Sequence, residues 1–472
     1  MIYIVTISIV VLILCGVTVY KIKGVKNTTD FFVAGRTLAW PVLVFTLLSS
    51  WIGAGSLLAG AENAYRNGFA ALWQPAGGWV GLIVIALIAG RARSFAQFTV
   101  PDLLEARYNS TARILATIAI VISYTVITSY QFIGGGDILH MIFPSLARTT
   151  GMCIIAAFVI AFTASAGMAS IAYLDLFIGG LVTLTVIVAV PVLLAHTGGW
   201  HAVRAALPAS HFTPMGPFTF PEALQLLLPT MLLLIGNQGM YQKFFSAKSE
   251  RDARLSVYGW IVGTVILETL LVTLAVIASV TLKTREPREI IALAAHQALP
   301  PMLGAILLGG VFAKVISTAN NYLFSPATNL IHDVYERFID KEATQKKTMI
   351  VSRIVVVLLG LFALLQATQF ESVLEASLYA YTIYGAAVTP SVLAVFFWKR
   401  TTKQAAVTSI LLGTVVTVLW KQLQRHAPHL LPLNASLDAV YPALFLSLAS
   451  LVIVSYLTPA PTTEQLALVE RR

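Results

Sequence analysis

Long apolar runs separated by short polar connections recur from one end of the chain to the other. A run of about 20 apolar residues is long enough to cross a bilayer as a helix. Thirteen such spans are predicted, near residues 2–20, 40–60, 70–90, 114–136, 150–168, 172–195, 222–240, 255–282, 302–330, 348–368, 374–397, 404–422 and 438–457. Two of them are interrupted. The second, PVLVFTLLSSWIGAGSLLAGAENAY, places Gly53 and Gly55 directly after Ser49-Ser50-Trp51. The seventh carries Pro229 and then Gly236-Asn237-Gln238-Gly239. A glycine inside a helix costs about 1 kcal/mol against alanine, so paired glycines among polar residues predict local unwinding. The alternative is that they let helices pack closely. The two breaks lie five spans apart, which points to two inverted repeats that each contribute one broken helix to a site at mid-membrane. Unwound backbone at that depth is tolerated only where it faces protein or a cavity.

The ninth span has a different pattern. From Met302 to Tyr335 the residues Lys314, Ser317, Thr318, Asn321, Ser325, Asn329 and His332 recur at steps of three and four. On a helix they form one polar stripe. An ammonium in hydrocarbon costs roughly 2.5 to 3.5 kcal/mol on insertion scales, so Lys314 must face protein or water. Hydroxyls can bond back to their own carbonyls, but a lysine cannot be accommodated in that way. The stripe therefore predicts the lining of a water path or an ion site.

Composition narrows the class. The chain has 472 residues, 57% of them hydrophobic and only 11% charged, where soluble domains carry about 25% charge. Mean hydropathy is +0.82. A polytopic membrane protein is implied and a soluble one excluded. The net charge of +10 sits mostly in short loops beside apolar spans, as the positive-inside rule requires, and implies no nucleic-acid partner. Arg91, Arg93, Arg107 and Arg113 mark one inner loop; Lys243, Lys248, Arg251 and Arg254 mark another. Arg337 to Lys347 and Lys399 to Lys403 mark two more. Lys283, Arg285 and Arg288 break the rule on an outer loop, with Glu286 and Glu289 among them. The N-terminal run lacks both the basic residues and the cleavage site of a signal peptide. It reads as a retained helix that starts outside, is followed by the inner loop KIKGVK, and leaves the C-terminus in the cytoplasm of a multi-pass inner-membrane protein. Cys15 and Cys153 have no pairing or metal spacing and read as small hydrophobes. No phosphate loop, metal spacing or nucleophile constellation marks an enzyme. A sensor would want an output domain where the tail after Leu457 is short, and a channel would want a continuous polar pore rather than two half-helix breaks.

Six stretches in order resemble the sodium:solute symporter family from about Phe31 to Arg400: DFFVAGRTLAW, TVPDLLEARY, SAGMASIAYLD, YQKFFSAKSERDAR, STANNYL and YGAAVTP. Within the family, SSWIGAGSLLAGAENAY is similar to the high-affinity choline transporter, Trp51 and Glu62 included. The resemblance implies an all-α amino-acid-transporter-like core of five plus five helices. It divides the chain into an extra N-terminal helix and inner loop (1–38), a first repeat (39–198), a second repeat (199–400) and two C-terminal helices with a short tail (401–472). It also implies cation-coupled import of a small organic solute, with no cofactor beyond a coupling ion, Na⁺ or alternatively H⁺.

Carried over by position, the family's sodium site would be formed by the backbone carbonyls of Ser49 and Ile52 and the hydroxyls of Ser317 and Thr318. The family takes a further carbonyl from a small residue one turn earlier, where this chain has Lys314. Asp175 matches an acid that some members place near a second cation site, and Glu268 lies in mid-span with no family counterpart. Buried charges pair, so Lys314 is expected to meet Asp175, Glu268 or both. If its ammonium takes the cation position, transport becomes sodium-independent or proton-coupled; if it points aside, sodium coupling survives. Trp51, Ser56, Trp73, Gln74, Asn237, Gln238, Tyr381 and Tyr384 are the candidate solute contacts. Asn237 stands where the choline transporter places a second tryptophan, which argues against choline. The amides of Asn237 and Gln238 would suit a carboxylate or hydroxyl. Glu62 is expected at the outer mouth.

Overall fold

The computed structural model describes residues 2–22, 28–95, 99–165, 168–370, 372–431, 437–462 and 466. Most of the KIKGVK loop lies outside the described residues, as do Ala166 and Gly167 of SAGMASIAYLD. Among the described residues no strand forms, and one isolated bridge joins Leu38 to Ala247. The main helices, in chain order, are α1 (Ile2–Ile22), α2 (Trp40–Trp51), α3 (Ala61–Asn67), α4 (Trp73–Ser94), α5 (Val100–Arg107), α6 (Ser110–Ile142), α7 (Arg148–Ser165), α8 (Met168–His196) and α9 (Phe220–Gly236). They continue as α10 (Gln238–Phe245), α11 (Glu250–Thr281), α12 (Pro301–Asn329), α13 (Gln345–Ala367), α14 (Val373–Ala387), α15 (Thr389–Phe397), α16 (Lys403–His426) and α17 (Val440–Leu457).

Their ends follow local chemistry. The side chains of Thr99, Asn109 and Ser249 accept from the backbone N–H of Asp102, Ala112 and Asp252, capping α5, α6 and α11. Such a cap is worth about 1 kcal/mol. Among the described residues, ten helical stretches are long and apolar enough to cross a membrane, or eleven if α14 and α15, bent by 40° at their junction, form one span. The expected count of thirteen is not established. Trp40–Trp51 falls below that length, because the chain breaks at Trp51 and splits its span.

Two groups of helices form the bundle. One packs α4, α9 and α11 around the broken α2–α3 segment; the other packs α6, α7, α12 and α13. Helix α8 lies against α2, α11 and α12, so it touches both groups. Large apolar side chains such as Leu12, Leu87, Leu184, Leu365 and Phe445 point outward, the arrangement expected where the solvent is lipid. Cys15 and Cys153 are also exposed, and neither is in a disulfide. The rule-breaking outer loop is explained by its partners: Arg288 bonds Asp137 at 2.9 Å, and Arg148 bridges Asp137 at 2.9 Å and Glu289 at 2.7 Å. Of the three loop cations, Arg288 is thus neutralised locally, while Lys283 donates to the Ser279 carbonyl at 2.8 Å.

Close approach of α4 to α9 depends on Gly77, where a Cβ would lie 2.1 Å from the Leu227 carbonyl oxygen. Backbone cannot yield as a side-chain tip can. Gly77→Ala should therefore cost about 1–3 kcal/mol, as overpacking does, read as a lower unfolding midpoint in detergent. An unchanged midpoint would mean that the two helices are not in this register.

Candidate ion and solute site

The first break follows from the sequence GAG. Helix α2 ends at Trp51, and Ile52 turns to extended angles (φ −87°, ψ 93°) while its N–H still closes onto the Leu48 carbonyl at 3.0 Å. Gly53 then passes so close to α12 that a Cβ there would sit 2.5 Å from Thr318 Oγ1. The chain resumes as a widened turn, Gly55–Gly60, before α3. Two side chains of the opposite helix group complete the freed backbone: Gln131 Oε1 accepts from the Ala54 N–H at 2.9 Å, and Thr318 Oγ1 donates to the Ser49 carbonyl at 3.3 Å.

The stripe on α12 is turned inward, with Lys314, Ser317, Thr318, Asn321, Ser325 and Asn329 all buried. Its hub is Asp175 on α8, itself fully buried. Asp175 accepts from Thr46 Oγ1 at 2.7 Å, from Ser317 Oγ, and from Asn321 Nδ2 at 3.3 Å. Asn321 Oδ1 in turn accepts from Lys243 Nζ at 2.8 Å. Lys243 is therefore not the loop cation the charge pattern predicts. The aromatic residues around it carry it into the core, where only 1% of it is exposed.

The expected pairing of Lys314 is not formed. Its Nζ is fully buried without a hydrogen-bond partner and beyond ion-pairing distance of either acid. Asp175 is the acid whose charge acts on it, and the hydroxyls of Thr46 and Ser317 already hold that carboxylate. Three buried ionisable groups, one acid and two amines, thus share one polar cluster.

The second break falls at Asn237 (φ −54°, ψ 110°), which caps α10 through its own Oδ1. Tyr124 Oη donates to that oxygen at 2.9 Å, Asn237 Nδ2 donates to Tyr322 Oη at 3.1 Å, and the Gln238 N–H donates to Tyr384 Oη at 3.0 Å. Gln238 Oε1 accepts from the Val100 N–H at the start of α5. Asn237, Gln238 and Tyr384 were expected to touch solute; instead they complete the broken backbone. Trp73 is also displaced from the site, since its indole N–H donates to the Pro214 carbonyl at 2.9 Å in the loop preceding α9.

Four of the eight solute candidates do meet. Trp51, Ser56, Gln74 and Tyr381 line one cavity with Thr230, Glu268, Leu271 and Val272. Its empty space, open mouth included, is about 370 Å³. Trp51 stacks on Tyr381 with centroids 6.4 Å apart. Glu268, expected only as a partner for Lys314, is the cavity residue that sequence reasoning missed, since its mid-span position alone does not show which way it faces. Glu62 is largely buried and pairs with Arg66 at 3.2 Å.

A second charged network closes the far end of the stripe. Arg113 bonds Asp102, Glu105 at 2.8 Å and Asp333 at 3.7 Å, while His332 lies 3.3 Å from Asp102 and 3.0 Å from Glu336. Arg107, also expected in a loop, is buried and donates to the carbonyls of Lys399 and Thr401.

An all-helical bundle of two packed groups, with two broken helices meeting buried polar side chains, defines an inverted-repeat secondary transporter. Solved structures agree on the fold. A Na⁺-coupled sialic acid symporter in a substrate-bound, outward-open state superposes with TM-score 0.82 at 15% identity, over 98% of this chain and 99% of that one. Mhp1, a nucleobase-cation-symport-1 family transporter, gives TM-score 0.59 at 14% identity, over 94% and 99%. The chain belongs to the sodium:solute symporter family, whose sequence profile matches residues 31–413. Among its relatives are the high-affinity proline transporter PutP of Bacillus subtilis, 26% identical over 94% of this chain and 95% of that protein. The sodium/proline symporter of Staphylococcus aureus is 23% identical over 96% and 91%.

The Asp175 cluster makes a stability prediction. Breaking a buried charge network by removing one partner typically costs about 3–5 kcal/mol. Asp175→Ala should therefore lower the unfolding midpoint sharply, and adding Lys314→Met should restore part of the loss. If the double variant is as unstable as the single one, the two groups do not interact.

Proposed function

We propose that this protein is a secondary active transporter that imports a small polar organic solute together with a cation, Na⁺ being the coupling ion. The observation that carries this reading is the meeting of Ser49 and Gly53 with Thr318 at the first break. Backbone carbonyls released from a helix and the hydroxyls of two adjacent residues are hard oxygen donors that suit a small hard cation without supplying a full charge. Ser49, Ile52, Ser317 and Thr318 would hold the ion, and Asp175, already bonded to Ser317, would balance its charge. Family membership supports sodium coupling, and the relatives named for proline support an amino-acid-sized solute. The helix groups would be two five-helix repeats (39–198 and 199–400), rocking about the breaks, with the N-terminus outside and the C-terminus in the cytoplasm. Each coupled charge moving inward gains about 2.3 kcal/mol per 100 mV of membrane potential.

A second reading is favoured by one specific observation. Lys314, fully buried without a partner, joins Lys243 in giving the Asp175 cluster two amines for one carboxylate. If both are charged, a bound sodium would be the third cation beside a single acid. On this reading Lys314 stands in for the ion, and transport is sodium-independent or driven by protons through a lysine that gives up its charge.

Uptake of labelled L-proline and other amino acids into proteoliposomes, with sodium and pH gradients imposed separately, decides between them. The leading reading expects wild-type uptake to require the sodium gradient, and Ser317→Ala with Thr318→Ala to reduce it by about tenfold or more. Uptake by wild type without sodium, together with a new sodium requirement in Lys314→Ala, would establish the second reading and remove the first.

A further inference from the structure

Glu268 is a glutamate halfway along an otherwise apolar stretch, GTVILETLLVTLAV, and it is 4% exposed. Its Oε1 accepts from Trp51 Nε1 at 3.0 Å and Ser56 Oγ at 3.2 Å, and its Oε2 accepts from Trp79 Nε1 at 2.9 Å. All three donors are neutral. Among the described residues no lysine, arginine or histidine pairs with it. A buried carboxylate that keeps its charge needs an opposite charge as well as hydrogen bonds, and neutral donors provide only the second. The chain's own buried amines do not provide the first: Lys243 bonds Asn321 at 2.8 Å, and Asp175 is the acid that acts on Lys314.

The wall around this carboxylate is unusual for a structural glutamate. It lines the same cavity as Gln74, whose buried Oε1 lacks a donor. The stacked rings of Trp51 and Tyr381 form the adjoining face, and Gly78 leaves room for the indole, since a Cβ there would lie 3.0 Å from Trp51 Cζ2. An anionic acceptor, a second acceptor without a donor and π faces beside them together select a ligand that is cationic and rich in N–H donors. A purely anionic solute would meet repulsion, and a neutral polyol would leave the charge unpaired. A quaternary ammonium would pair with the charge but bring no N–H for Gln74.

We propose that the cavity recognises its solute through a protonated primary or secondary amine, bound by Glu268 and Gln74 against the ring of Trp51. This deepens the transport reading, on which it rests for the identification of the cavity as the solute site. Glu268 is then the specificity-determining residue, and the tryptophan and serine donors fix its carboxylate in position.

The test is equilibrium binding to the purified full chain in lipid nanodiscs, with no gradient present. The probes are L-proline, L-alanine, cyclopentanecarboxylate, propionate and D-glucose. The amino acids are expected to bind at least about tenfold more tightly than their amine-free counterparts, a tenfold ratio being 1.4 kcal/mol. Glu268→Gln should weaken amino-acid binding by about tenfold or more while the unliganded protein keeps its elution profile and unfolding midpoint. Glu268→Asp, which keeps the charge, should recover part of the loss. Three results would overturn the assignment: amine-free probes binding as well as the amino acids, Glu268→Gln binding within about twofold of wild type, or neither amino acid binding. Should the Gln variant misfold, the amine-to-analogue ratio in wild type decides alone. Amino acids that bind but are not accumulated in vesicles would support this assignment and remove the transport reading, so the two fail separately.

Discussion

Inside a bilayer, backbone polar groups have no water to turn to, so a helix can break only where other protein groups complete it. The architecture of this transporter depends on that constraint. At the first break Gln131 and Thr318, from α6 and α12, supply the missing donor and acceptor. At the second, Tyr124, Tyr322 and Tyr384 do the same around Asn237. Gln131, Thr318, Tyr124 and Tyr322 belong to the group opposite the breaks, and Tyr384 comes from α14, which packs against both α6 and α9. The breaks therefore weld the two groups together as well as opening backbone for ligands, and any rocking motion must exchange these bonds for others.

The two breaks nonetheless do different work. The second is closed by its tyrosines and by the Asn237 cap. The first is completed more sparingly and lies between the Asp175 cluster and the cavity of Trp51 and Glu268. One stretch of six residues, Ser49 to Ala54, thus borders both the candidate ion site and the candidate solute site. Coupling of the two needs no long pathway, because a change in the angle of that stretch alters both at once.

Much of this was readable from residue order. Glycine pairs five spans apart located both breaks, and the three-and-four spacing from Lys314 to Asn329 located the buried stripe, because a helix in lipid has no other place for such residues. What pattern could not supply was partners. Lys243, Arg107 and Arg113 read as loop cations, since positive charge near a span end usually is; burial beside aromatic rings, carbonyls and acids is a tertiary fact. Asn237, Gln238 and Tyr384 lie on the right helices but point at the break. Glu268 sits on a helix with no polar stripe of its own, so only the approach of Trp51 and Trp79 reveals which way it faces.

The claim on which function rests is that the backbone at the first break and the hydroxyls of α12 together form a cation site. Binding to the folded state alone stabilises it by RT ln(1 + [L]/Kd). Titrating purified wild-type protein with sodium against potassium, at constant ionic strength, should raise the unfolding midpoint in sodium only, and Thr318→Ala should lose most of that rise. Equal midpoints in the two salts would contradict a sodium site at this break.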